Sequence, residues 1–384
     1  MRIVVAPDSF KGSVSAVETA DAIEKGIKTV FPEAEVIKVP IGDGGEGTVE
    51  ALVTATNGKL IYQNVVGPLG NTVKSFWGIL GDGETAVIEM AAASGLPLVP
   101  EDRKDPRLTT TYGTGELIKA VLDRGMKKII VGIGGSATND GGCGMIQALG
   151  GKFLAADGKE LPYGGAALSK LALIDLNALD VRLRDTTIVV ACDVGNPLCG
   201  PKGASAVYGP QKGATPEIVT ELDQALLYFA QKAEIVTGRS VANQAGAGAG
   251  GGIGAGFLFF TNAKLRPGVE IILESTNFAA LVSSAQLVIT GEGRTDFQTA
   301  FGKAPVGIAK IAQKYQVPTI CLAGCLGKGH EDVLKEGIDG LMSTVPGPMT
   351  LEECVKSGAK LIELGAARLC RIIQIGMKIG EKSH

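Results

Sequence analysis

IIVGIGGSATNDGGCG, residues Ile129–Gly144, joins an apolar β-branched run to a loop in which glycine is the commonest residue and Asp140 the only charge. A short continuous apolar run bounded by glycine reads as a strand buried on both faces, as in parallel sheets. Unhindered backbone N–H groups and the hydroxyls of Ser136 and Thr138, ahead of a helix expected from Gly144, form an arrangement that holds anions, phosphate above all.

The same rhythm recurs on either side. Ile3–Ala6 reads as a strand, followed by a helix over 15–31 with a Ser15/Glu18 capping box, a strand over 34–39 and a helix over 48–56 closed by Gly58. Between Leu60 and Ala92, short alternating runs broken by glycine predict hairpins. Then come a helix over 114–124, the strand ending at Ile133, a short-strand region near Phe153, a strand over 187–191 and a helix over 216–233. Residues 241–263 read as a loop entering a buried helix. Strand and helix alternate again with 287–290, 303–315 and 319–323, and a single long helix is expected from Leu351 to Ile373. Such alternation predicts an α/β protein with a mostly parallel sheet covered on both faces. An irregular middle third between two regular ends predicts one domain inserted into another.

The chain has 384 residues and a net charge of −3, which offers nothing to attract nucleic acid. No run has the length and apolarity of a membrane span or a signal peptide, so the cytoplasm is expected. Seven scattered cysteines and two histidines suggest neither a disulfide framework nor a zinc site.

In open parallel sheets ligands bind beyond the carboxyl ends of the strands. Each expected strand is followed there by glycine and an acid: Asp8 with Ser9, Lys11 and Gly12; Asp43 in GDGGEG; Asn139 and Asp140; Asp193 in DVGNP; and Asp296 in GEGRTD. One such loop is as readily a solvated turn, but five together point to a site. Gly134, Gly135, Ser136, Ala137 and Thr138 are the first candidates to hold phosphate, and Gly248, Gly250, Gly251 and Gly252 in GAGAGGGIGAG the second, though close packing against small residues explains that cluster almost as well. No Walker loop is present. Gly132–Ala137 also fits G-x-G-x-x-A, with Asp157 about twenty residues on, as in a dinucleotide-binding oxidoreductase. Gly250–Ala255 fits equally, and Asn139-Asp140-Gly141-Gly142 disfavours the helix that pattern requires. A non-catalytic sensor of a sugar-acid phosphate is a further alternative.

His384 ends the sequence and His330 lies in a Gly-Lys-Gly loop, so the available base is a carboxylate. Phosphoryl transfer suits that inventory, since it needs positioning, Mg²⁺ held by one or two acids, and cations on the phosphates. Asp193 and Asp296 are the leading acids, as base or metal ligand, with Arg294, Lys303 and Lys11 as cations. Asp8, Ser9, Asp43, Asn139 and Asp140 are the further candidates to meet a substrate.

These stretches resemble the bacterial type I glycerate kinase family along the whole chain: APDSFKGS at Ala6–Ser13, PIGDGGEGT at Pro40–Thr48, GIGGSATNDGG at Gly132–Gly142, CDVGNPLCGPKGA at Cys192–Ala204, YGPQKGA at Tyr208–Ala214, GAGAGGGIGAG at Gly246–Gly256, and TGEGRTDFQT with GKAP at Thr290–Pro305. Tyr208 stands where the family pattern leads us to expect Phe. The resemblance implies ATP-dependent phosphorylation of D-glycerate with Mg²⁺, usually at the 2-hydroxyl. It also implies a Rossmann- or flavodoxin-like parallel-sheet domain, expected over 1–60 and 280–384, with a second α/β domain inserted over 61–279. It assigns no roles to side chains, and a homo-oligomer stays open.

Overall fold

The computed structural model describes residues 1–42, 44–301 and 303–382, without the Glu381 side chain, so the expectations placed on Asp43 and His384 lie outside the described residues. Among the described residues there are thirteen strands: β1 (Arg2–Pro7), β2 (Glu35–Lys38), β3 (Lys59–Val66), β4 (Thr72–Ile79), β5 (Thr85–Glu89), β6 (Lys128–Gly132), β7 (Lys152–Leu154), β8 (Leu173–Asp175), β9 (Thr187–Ala191), β10 (Lys264–Arg266), β11 (Leu287–Thr295), β12 (Thr319–Leu326) and β13 (Gly340–Ser343). The chain divides into two compact α/β units. The first is Met1–Gly42, Glu50–Asn57 and Val269–His384, and the second Asp43–Val49 and Gly58–Gly268.

In the first unit an all-parallel sheet runs β2-β1-β11-β12-β13. Counted within this sheet, the order is 2-1-3-4-5, the flavodoxin-like arrangement, and the winding reverses between β1 and β11. Ile3, Val5, Ile289 and Leu322 pack with Ile23 and Ile27 of the helix Ala16–Val30 and with Ile362 and Leu369 of the helix Gly358–Glu381. A second apolar cluster joins Cys321 of β12 to Val306 and Ala309 of the helix Ala304–Lys314. The sheet is thus covered by helices, which is why its strands read as continuous apolar runs. The two helices of the first cluster meet at Gly26, where a Cβ would lie 2.3 Å from Glu363 O.

In the second unit the order is β10-β9-β6-β5-β4-β3. β5, β6, β9 and β10 are parallel, while β3, β4 and β5 form an antiparallel meander, as the hairpin pattern predicts. β7 and β8 pair as a separate antiparallel ribbon. Trp77, Phe153, Phe229, Phe257 and Phe259 fill the core, the last two from a buried helix over Ala249–Phe260.

The capping box at Ser15 is present, with Glu18 N–H donating to Ser15 Oγ and Ser15 N–H to Glu18 Oε2. Three local expectations are corrected. β11 does not stop at Thr290, because Gly291, Glu292, Arg294 and Thr295 continue the pairing with β12. The helix Thr48–Thr56 ends with Asn57, not Gly58, in the left-handed conformation at φ 55°. Gly58 answers a different demand, since a Cβ there would lie 2.2 Å from Ile79 O. The final helix is two, Leu351–Lys356 and Gly358–Glu381, the first opened by a Thr350/Glu353 capping box.

Candidate active site

In the first unit the candidate residues collect at the carboxyl ends of β1, β11 and β12. Asp8 N–H donates to Gly291 O at 2.8 Å, which ties the loop after β1 to β11, and Asp8 Oδ1 accepts the Ser9 N–H. The loop continues over β11 with Phe10 and Lys11, and a Cβ on Gly293 would lie 3.4 Å from Phe10 Cα and 3.6 Å from Lys11 N. Arg294, with its side chain 64% exposed, pairs with Asp296 at 3.2 Å, while Asp296 itself is only 13% exposed. Asp296 Oδ1 also accepts the Gln298 N–H. The turn after β12 closes against both, because a Cβ on Gly327 would lie 2.8 Å from Arg294 Nε and 2.9 Å from Asp296 Cβ. Lys303 precedes the helix Ala304–Lys314 at its N-cap position and is exposed. The structure therefore brings Asp8, Ser9, Lys11, Arg294 and Asp296 to one edge.

The remaining candidates lie in the second unit. There the glycine loops pack backbone to backbone. A Cβ on Gly251 would lie 1.8 Å from Thr138 O, one on Gly252 2.9 Å from Gly141 Cα, and one on Gly134 2.8 Å from Gly45 Cα. Gly250, Gly251 and Gly252 all have positive φ, open to residues without a side chain. Several amides of these loops are spent inside the protein: Gly134 N–H donates to Gly44 O, Ala137 N–H to Ser94 O, and Gly248 N–H to Asn196 O. Asp140 is buried and accepts from Thr111 N–H, Thr111 Oγ1, Gly142 N–H and Gly144 N–H, so it staples the loop to Thr111. Burial pushes its carboxyl above the usual range against those four donors. Asn139 donates to Ser205 Oγ. The exposed Asp193 accepts the Gly268 N–H at 2.8 Å, at the start of the helix Gly268–Ser275.

Three buried charges escaped the sequence reading. Glu89, at the carboxyl end of β5, accepts the amides of Gly47 and Val49. Lys212, in the YGPQKGA stretch, is 2% exposed and donates to Ser136 Oγ at 2.7 Å and Thr138 O at 2.6 Å. Burial pulls its ammonium down to about 7, with Asp140 opposing. Glu292 lies within β11 and is 7% exposed. Lys212 and Glu292 sit among glycines, a signal read as loop and not as buried charge, while Glu89 ends a short apolar run read as part of a hairpin. Beside Lys212, Thr138 Oγ1 and Asn139 Oδ1 are buried without a partner among the described residues.

The dinucleotide pattern is not built. Gly132–Ala137 opens no helix; the helix Cys143–Ala148 starts only after Gly141 and Gly142 at positive φ, and Asp157 lies in an exposed turn paired with Lys159. Among the described residues no group of three or more His, Cys, Asp or Glu could hold a metal ion, and no helix is long and apolar enough to cross a membrane.

The glycerate kinase family model matches residues 3–374. This chain belongs to the glycerate kinase family. Glycerate kinase of Bacillus subtilis is 54% identical over 98% of both chains. Glycerate 2-kinase of Escherichia coli K12 is 48% identical over 98% of this chain and 99% of its own. A crystal structure of a protein provisionally designated glycerate kinase 2, from Salmonella typhimurium LT2, superposes with a TM-score of 0.88 at 48% identity, covering 98% of this chain and 99% of that one. Family membership makes the chain a kinase and leaves the oxidoreductase and the non-catalytic sensor without support. At the one departure from the expected family pattern, the Tyr208 hydroxyl donates to Asn196 Oδ1 at 2.7 Å.

Proposed function

We propose that this protein transfers the γ-phosphoryl group of ATP to the 2-hydroxyl of D-glycerate, giving 2-phosphoglycerate and ADP. Family membership, with a close relative named for the 2-position, carries this reading. The chemistry at the carboxyl ends of β1 and β11 supports it. Arg294 and Lys11 supply cations for the glycerate carboxylate or the moving phosphoryl group, and Asp8 and Ser9 line the same edge, with Lys303 as a further cation. The segments Gly134–Thr138 and Gly248–Gly252 hold the nucleotide phosphates, the hydroxyls of Ser136 and Thr138 adding to whatever amides remain, while Asn139 and Asp140 shape that loop. The two units act as the two domains of the kinase, which works in the cytoplasm.

The acids suit Mg²⁺ bound mainly by phosphate oxygens and water, with Asp296 or Asp193 adding a carboxylate, since each holds at least one oxygen in a backbone hydrogen bond and neither belongs to a cluster of three. When bound, the ion neutralises charge developing on the phosphates. The protein's own part is orientation: the Arg294–Asp296 pair fixes a guanidinium at the edge, and the loop after β1 is held to β11 by the Asp8 amide.

A coupled ADP-release assay with ATP, Mg²⁺ and D-glycerate, with phosphorus NMR of the product, tests the proposal. A 2-phosphoglycerate signal is expected. A 3-phosphoglycerate signal contradicts the position of transfer, and absence of turnover contradicts the substrate.

A further inference from the structure

Transfer to a hydroxyl needs a group to take its proton, and the edge described above contains a carboxylate whose surroundings suit that task better than those of Asp296. Glu292 lies on β11 one residue beyond Gly291, the last β11 partner of β1, so it stands where the winding of the sheet reverses. That reversal is the place where open parallel sheets bind ligands.

The side chain is fixed on one side only. Glu292 Oε1 accepts the hydroxyls of Thr295 at 3.0 Å and Thr299 at 2.7 Å. Among the described residues no donor is bonded to Oε2. Asp296, by contrast, has Oδ2 on the Arg294 guanidinium and Oδ1 on the Gln298 amide, so both of its oxygens are already engaged. Burial raises the proton affinity of Glu292 above the usual carboxylate range, helped by Asp296 and opposed by the threonine hydroxyls and Lys303. A buried carboxylate with one oxygen left open among the described residues is suited to take a proton from a bound hydroxyl.

We infer that Glu292 is the catalytic base, its Oε2 receiving the proton of the glycerate hydroxyl. The hydroxyl oxygen forms a bond to the γ-phosphorus, the bond from that phosphorus to the β–γ bridging oxygen breaks with its electron pair left on ADP, and the proton passes to Glu292 and then to solvent. This rests on the reading of the chain as a kinase acting on D-glycerate.

The test compares the intact enzyme with Glu292→Gln, an isostere that still accepts the threonine hydroxyls but takes no proton. The expected result is a kcat lower by about 10²–10⁴-fold, with KM for ATP and for D-glycerate changed by no more than about threefold and the unfolding temperature retained. A kcat within about fivefold of wild type overturns the inference, as does a fall in kcat that only follows a lowered unfolding temperature. Should Glu292→Gln not fold, Glu292→Asp takes its place: a carboxylate drawn back by one methylene should cost about tenfold or more in kcat, and an unchanged kcat overturns the inference. Absence of glycerate turnover by wild type brings down the parent reading together with this one, whereas turnover retained in Glu292→Gln brings down this one alone.

Discussion

The two glycine-rich, acid-bearing regions look alike in sequence and are put to different physical uses. In the second unit Gly134, Gly251 and Gly252 lie where backbones touch, and the acid among them, Asp140, is buried with both oxygens filled by the protein's own donors. In the first unit Gly293 sits on a strand end with ordinary clearance, and the charge beside it, Arg294, reaches solvent. Glycine in the first setting builds a surface no side chain would permit. In the second it leaves room for neighbours that reach solvent.

The sharpest attempt to break this contrast is Gly251→Ala. A Cβ 1.8 Å from Thr138 O, at φ 72°, cannot be accommodated without moving the loop. We expect a loss of about 4 kcal/mol or more, or no folded protein, in urea unfolding; a stability within about 1 kcal/mol of wild type would show that the loops are not held as described. Asp296→Asn should do the reverse, lowering kcat by about a thousandfold in the ADP-release assay while unfolding is little changed. Loss of stability in step with activity would make Asp296 architectural instead.

Lys212 probes the second unit by pH. Its folded-state value is about 7 against the usual 10.5. Below pH 7 both states carry the proton and the folded protein bears the whole cost of the buried charge. From there to about 10.5 the unfolded chain holds a proton the folded one has released, so stability from this group rises with pH. Relative to Lys212→Met, wild type should therefore gain up to a few kcal/mol across that window in denaturant titrations. Parallel curves would mean that Lys212 stays charged. The smallest effect is expected at Gly293→Ala, whose Cβ would meet Phe10 Cα at 3.4 Å. Its stability should fall by about 1 kcal/mol or less, any larger change appearing in KM; a loss as great as that of Gly251→Ala would erase the contrast.

Local chemistry made much of the fold legible. Ser15 with Glu18, the apolar face of the helix they open, the β-branched run of β6 and the broken runs of β3 to β5 all reflect near neighbours in sequence. What escaped depends on distant ones. β11 runs on to Thr295 because β12 pairs with it, and nothing in GEGRT states that partner. Asn57 took the left-handed turn because Gly58 was needed against Ile79. Loops beyond the strands marked where candidate side chains gather in the first unit, and Asp8, Lys11, Arg294 and Asp296 were read from them. Lys212, Glu89 and Glu292 were not, since a charged letter carries no sign of whether the fold will bury it.

We propose that the chemistry belongs to the strand ends of the first unit. Arg294→Ala tests it most directly, because the side chain is 64% exposed and its removal should cost the fold little. Measured beside the unfolding temperature, kcat/KM for D-glycerate should fall by about a hundredfold or more while that temperature stays put. A kcat/KM within about threefold of wild type would contradict the claim.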